Sequence, residues 1–118
     1  MINLDALAQE EYCYLTTTGR VSGKPHEIEI WFGLRGDTLY MLSGGRTRAD
    51  WVCNIRKAPE VTVRIGETKF AGTARIIEGT EEDETARSLL VEKYSPSYSG
   101  DLSGWRRTAL PVAVDLEG

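Results

Sequence analysis

The chain is written in short alternating runs cut by glycine, proline and polar pairs. YCYLTTT, residues 12–18, is rich in aromatic and β-branched side chains and reads as a strand. In HEIEIWFGL, Ile28, Ile30 and Phe32 alternate with Glu27, Glu29 and Trp31, which gives a strand one core face. TLYMLS returns after the turn residues Arg35, Gly36 and Asp37, so the two runs form a hairpin. VTVRI alternates again, Gly66 and Glu67 make a tight turn, and KFAGTARII follows. ALPVAVDL supplies the last strand; its Pro111 implies either an edge position or the first residues of the strand, because proline has no amide hydrogen to give a ladder.

Helical signals fall between these runs. A short helix is expected over residues 4–10. Thr47 is placed to cap a second helix, with Asp50 three positions on; that helix runs through Trp51 and Ile55 to about Lys57, and Pro59 stops it. In GTEEDETARSLLVEKY the acids sit near the start, and Ala86, Leu89, Leu90 and Tyr94 recur at helical spacing. GRVSGKP and SPSYSGDLSG read as polar loops. The resulting order, β-β-β-α-β-β-α-β, describes a mainly β fold with short helices. Mostly antiparallel neighbours of this kind hide their edges by closing into a barrel.

The 118 residues suffice for one domain spanning 1–118. The 14 basic and 18 acidic residues give a net charge of -4, which disfavours a general nucleic-acid binder. The charges are uneven: bases crowd residues 46–57 and acids crowd 78–84. No apolar run is long enough to span a membrane, and the acidic start does not resemble a secretory leader, so a cytoplasmic location is expected. There is no G-x-G-x-x-G after a strand and no Walker loop. Cys13 and Cys53 lack metal-like spacing; two free thiols are expected, with a single disulfide as the alternative, and no metal site is expected.

Two loops can carry chemistry. In Ser43-Gly44-Gly45-Arg46-Thr47-Arg48 a strand opens into a glycine pair and then a helix start. Bare backbone amides, two hydroxyls and two guanidinium groups are the parts of a phosphate cradle. The same residues also suit a hairpin exit with solvent-facing arginines. In TTTGRVSGK, Arg20 and Lys24 bracket Ser22 and Gly23. Beside the first loop it would complete one anion pocket; alone it would be a solvated loop. His26 reads as structural. Trp31 and Trp51 read as packing residues that could also wall a flat ring, and Asn54 lies one helical turn beyond Trp51. Tyr94, Tyr98 and Trp105 surround a polar segment able to cover a pocket. Arg106 and Arg107 would reach either a cofactor tail or the acidic helix.

TTTGRVSGKPHEIEIWF, LYMLSGG and ADWVCNIRKAPEVTVRIG together resemble the deazaflavin-dependent nitroreductase and quinone reductase family, over about residues 15–116. The resemblance implies a split β-barrel of the pyridoxamine-phosphate-oxidase-like kind. It implies a homodimer that binds the deazaflavin coenzyme F420, with hydride passed from the reduced coenzyme to a quinone, a nitroaromatic compound or a similar flat acceptor. It places Thr18, Arg20, Ser22, Gly23 and Lys24 at the anionic side of the cofactor. Met41, Ser43, Gly44 and Gly45 fall beside its phosphate and ring, with Arg46, Arg48, Trp51 and Asn54 nearby. Tyr94, Tyr98 and Trp105 would line the acceptor side. The nitroreductase branch commonly has a lysine directly after the strand-end serine; here Gly44 follows Ser43, and Arg46 or Arg48 takes its place. The rival readings are an FMN-binding redox protein and an F420 carrier or sensor without turnover.

Overall fold

The computed structural model describes residues 4–117. After a single-turn helix, α1 (Leu4–Leu7), come β1 (Tyr12–Thr18), β2 (Pro25–Trp31), β3 (Gly33–Arg35) and β4 (Thr38–Ser43). A 3-10 turn over Arg46–Arg48 leads into α2 (Asp50–Lys57). β5 (Glu60–Ile65) and β6 (Thr68–Ile76) form a hairpin, followed by α3 (Glu82–Tyr94), α4 (Ser103–Thr108) and β7 (Leu110–Glu117).

All seven strands form one antiparallel sheet in the order β2-β1-β5-β6-β7-β4-β3. Its two ends, β2 and β3, are separated in sequence by Phe32 alone. The run read as one strand therefore bends at Phe32 and pairs with β1 through its first half and with β4 through its second. That bend rolls the sheet into the expected split barrel. Phe32 points into the interior and is fully buried.

Period-two alternation decides what fills the barrel. Cys13 and Leu15 of β1, Val61, Val63 and Ile65 of β5, and Val112, Val114 and Leu116 of β7 meet inside it. β4 and β7 are covered on both faces. Leu39 and Met41 enter the barrel, while Tyr40, Leu42 and Ala113 pack outward against Ala86, Leu90 and Tyr94 of α3. Gly72 permits the close approach of β6 and β7, since a Cβ there would lie 2.6 Å from Val114 Cγ1 and 3.0 Å from the Asp115 carbonyl oxygen. The Gly66-Glu67 turn forms as expected, with Gly66 at φ 60°.

Three details differ from the sequence reading. β7 is internal, between β6 and β4, so Pro111 does not mark an edge; it is the second residue of its strand, the other position open to it. Thr47 does not cap α2, whose N-cap is Ala49 with no side-chain hydrogen bond, because the 3-10 turn intervenes. The polar stretch before β7 contains α4, six residues long. Its Trp105 and the N-cap Leu102 dock on the outer core, supplying the apolar contacts a short helix needs.

Candidate functional site

The β1–β2 loop and the start of α2 meet. The Arg20 amide donates to Asn54 Oδ1 at 3.1 Å, and its guanidinium reaches Asn54 Oδ1 at 3.0 Å and Asp50 Oδ1 at 3.2 Å. Asn54 is buried, and its amide nitrogen donates to Thr17 Oγ1 at 3.0 Å. Lys57 Nζ donates to the Arg20 carbonyl at 2.9 Å. One side of α2 is thereby latched to the β1–β2 loop. A Cβ on Gly19 would lie 2.6 Å from His26 Nε2, so any larger residue there must push the exposed imidazole aside. His26 covers the glycine, in keeping with its structural reading.

The strand-end loop is less glycine-dependent than its sequence implies. Gly45 has φ −80°, and the left-handed residue is Arg46, at φ 53°. A Cβ on Gly44 would meet only Trp105 Cδ1, at 3.9 Å, an ordinary contact. Neither backbone geometry nor packing demands glycine at Gly44; what its missing side chain provides is bare, exposed backbone beside an indole. The Ser43 hydroxyl is buried and donates to the Arg46 carbonyl at 3.1 Å. Met41 is fully buried, its side chain packed in the barrel core. Trp51 packs against the same core, half-buried.

Arg46 is tethered. Its guanidinium donates to the Thr108 carbonyl at 2.6 Å and pairs with Glu78. Arg48, Thr18, Ser22, Gly23 and Lys24 are exposed. The Ser22 hydroxyl accepts the Lys24 amide at 3.2 Å, and Gly23 sits at φ 72°, so this turn is ordered by its own contacts.

Beyond Gly44 lies a groove of about 410 Å³ between β2, the end of β4 and the segment around α4. Trp31, Tyr98 and Trp105 form its aromatic walls, with Leu42 and Leu102 at its base. Trp31 organises the wall: it meets Tyr98 and Trp105 edge-on at 5.9 and 5.6 Å, with interplanar angles of 88° and 86°. Tyr94 stands behind Trp31 rather than in the groove. Its rings stack at 4.1 Å, and its hydroxyl bonds to the Phe32 amide, the Phe32 carbonyl and the Glu11 carbonyl. Burial pushes that phenol well above its usual pKa, so it keeps its proton at neutral pH. Tyr12, Glu29, Ile30 and Asp101 also line the groove and were not singled out from sequence. Only their convergence across distant strands and loops makes them a group.

Four of the five acids in the run, Glu78, Glu82, Asp83 and Glu84, are paired within the chain. Glu78 pairs with Arg46, Asp83 with the buried Arg87, and Glu84 with Arg106, which answers the question of where Arg106 reaches. Arg75 bridges Glu82 and Asp115. Cys13 and Cys53 are free thiols; burial pushes Cys13 up to about 12, which leaves it inert. Among the described residues no group of three or more metal-ligating side chains occurs, and no helix is long and apolar enough to cross a membrane.

Residues 5–117 match the family model for F420H(2)-dependent quinone reductase. A solved F420-H2 dependent reductase, FDR-A, is 28% identical, with a TM-score of 0.71 over 91% of this chain and 94% of its own. A domain-swapped dimer is also 28% identical, with a TM-score of 0.71 over 91% of this chain and 80% of its own. HutZ, the heme storage protein from Vibrio cholerae, shares the fold at 14% identity, with a TM-score of 0.75 over 98% of this chain and 88% of its own. The family match spans nearly the whole barrel, including the latched β1–β2 loop and the aromatic groove, and the chain belongs to the F420H2-dependent quinone reductase family.

Proposed function

We propose that the basic strip at the strand end and the aromatic groove beside it form one site, with the coenzyme's anionic portion on the strip and a flat acceptor in the groove. The protein is an F420H2-dependent oxidoreductase. The observation that carries the site assignment is the placement of bare Gly44 backbone against Trp105, where the two regions touch. When bound, reduced F420 supplies the hydride, so the protein's own task is to hold, orient and exclude.

The residues fit that task. Exposed Arg48 and Lys24, and Arg20 at the α2 latch, offer charge-assisted bonds to phosphate or carboxylate. Gly44 and Gly45 leave room for a close backbone approach. Trp31 and Trp105 present flat apolar surface, which excludes water and holds an acceptor ring against the coenzyme side. The acceptors are quinones and nitroaromatic compounds of compatible shape. A homodimer is the assembly we favour, supported by the relative that forms a domain-swapped dimer.

A competition titration with F420 and FMN, followed by reoxidation of F420H2 with a quinone, tests this reading. Preferred F420 binding and quinone-dependent turnover are expected. Preferred FMN binding would transfer the site to the flavin alternative, and tight F420 binding without turnover would make the protein a carrier. Gly44→Val tests the placement: stability should hold while coenzyme affinity drops. Undiminished affinity would move the phosphate elsewhere.

A further inference from the structure

The groove has a charge of its own. Two of its lining residues, Glu29 and Asp101, are carboxylates, and no lysine, arginine or histidine is among them. Both carboxylates are held in place. Glu29 Oε2 accepts the Tyr14 hydroxyl at 2.6 Å, and Asp101 Oδ1 accepts the Ser103 amide at 2.9 Å. Each bond uses only part of a carboxylate's accepting capacity, so charge and lone pairs remain for a ligand. The Ser103 amide holds the Asp101 carboxyl below its usual range, which keeps it ionised at neutral pH. Two cations outside the lining act nearby: exposed Arg107 adds to the lowering of the Asp101 pKa, and Arg64 lies over the Tyr14 ring at 4.2 Å.

Aromatic faces carry negative potential and attract cations as well as offering flat apolar area. Ring walls and two anchored carboxylates therefore act in the same sense. The groove volume, about 410 Å³, lies within the range of small-molecule sites. We propose that this groove selects flat, positively charged ligands, and that Glu29 and Asp101 discriminate against flat anions of similar size. As a preference among acceptors this rests on the F420H2-dependent reading; as a binding preference it rests on the groove alone. It also separates the two halves of the site, since the anionic tail of the coenzyme is attracted to the basic strip and repelled from the groove.

The test uses the coenzyme-free protein. N-methylacridinium and acridine-9-carboxylate are titrated at neutral pH and low salt, with quenching of tryptophan fluorescence as the readout. The cation should bind on the order of tenfold more tightly than the anion. In a Glu29→Gln/Asp101→Asn double variant that ratio should fall toward one. Both substitutions keep an oxygen acceptor for the Tyr14 hydroxyl and the Ser103 amide, and circular dichroism with thermal melting verifies the fold. Equal affinities in the wild type, or an unchanged ratio in the variant, overturn the proposal. Failure here leaves F420H2-dependent turnover standing, whereas a retained ratio with no turnover removes only the acceptor role.

Discussion

Trp31 lies flat on Tyr94, with ring centroids 4.1 Å apart and planes inclined by 4°. The Tyr94 hydroxyl bonds to the Phe32 backbone, one residue past Trp31, so a single side chain from α3 braces both the barrel bend and the wall of the groove. Tyr94→Phe keeps the stacked ring but strands the buried Phe32 amide. Unfolding in urea should show a loss of about 1–3 kcal/mol, the cost of an unpaired buried polar group. The pH profile of turnover should not change, because the hydroxyl is spent on structure. A shifted profile with unchanged stability would instead make Tyr94 a proton donor.

Arg20→Ala separates latching from ligand binding. Its guanidinium bonds to Asn54 and Asp50 are lost, but the Arg20 amide still satisfies Asn54 Oδ1, and the Arg20 side chain is 38% exposed. The stability cost should therefore stay below about 1 kcal/mol. Loss of a charge-assisted bond to the coenzyme should cost about 1.5–3 kcal/mol, read as a tenfold to hundredfold weaker Kd for F420. If melting falls steeply while Kd is unchanged, Arg20 serves the loop and not the ligand.

These residues also show what the sequence could disclose. Alternation in β1, β2 and β5 follows from one buried face and needs no knowledge of partners, so those strands and the Gly66 turn were legible. The bend at Phe32 was not, because the residues on both sides continue the same alternation. It is imposed by pairing with β1 on one side and β4 on the other. α4 was hidden because six residues carry too little periodicity, and its formation depends on docking Leu102 and Trp105. The glycine pair reads as bare, approachable backbone, and Gly44 does stand open; what the sequence could not disclose is that the left-handed conformation of this loop falls on Arg46. The spacing of Asn54 one turn beyond Trp51 does not disclose its partners, Thr17 and Arg20, which only the fold brings to it.

Lys93 provides a pH test of packing around Phe32. Its ammonium lies 3.6 Å above the Phe32 ring and donates to the Phe32 carbonyl at 2.9 Å, and burial pushes its pKa down to about 8 from 10.5. The folded state thus releases this proton before the unfolded state does. Between about 8 and 10.5 the unfolded chain binds more protons, so the Lys93 contribution to stability rises with pH; below 8 both states are charged and the penalty is fully present. Cys13 and Tyr94, whose pKa values are raised, act in the opposite sense at alkaline pH. The wild-type unfolding free energy minus that of Lys93→Met should therefore increase across this window. A flat difference would mean that the ammonium is solvated in the folded protein.

Arg46 carries the sharpest prediction because its present partners compete with its proposed one. It occupies a left-handed backbone conformation at φ 53°, which costs a residue with a Cβ about 1–2 kcal/mol. The conformation places its guanidinium between Glu78 and the Thr108 carbonyl at the end of α4. If the same guanidinium is to meet an anionic coenzyme, Glu78 must yield it. Glu78→Gln removes the competing charge while retaining a hydrogen-bond acceptor, and it should tighten F420 binding several-fold, whereas Arg46→Ala should weaken it. Their effects should also be non-additive: with Arg46 absent, Glu78→Gln should do little. Isothermal titration of the wild type, both single variants and the double variant closes this cycle. Weaker binding in Glu78→Gln would show instead that the ion pair builds the site by fixing α4 and Trp105, and that Arg46 acts on the ligand only through them.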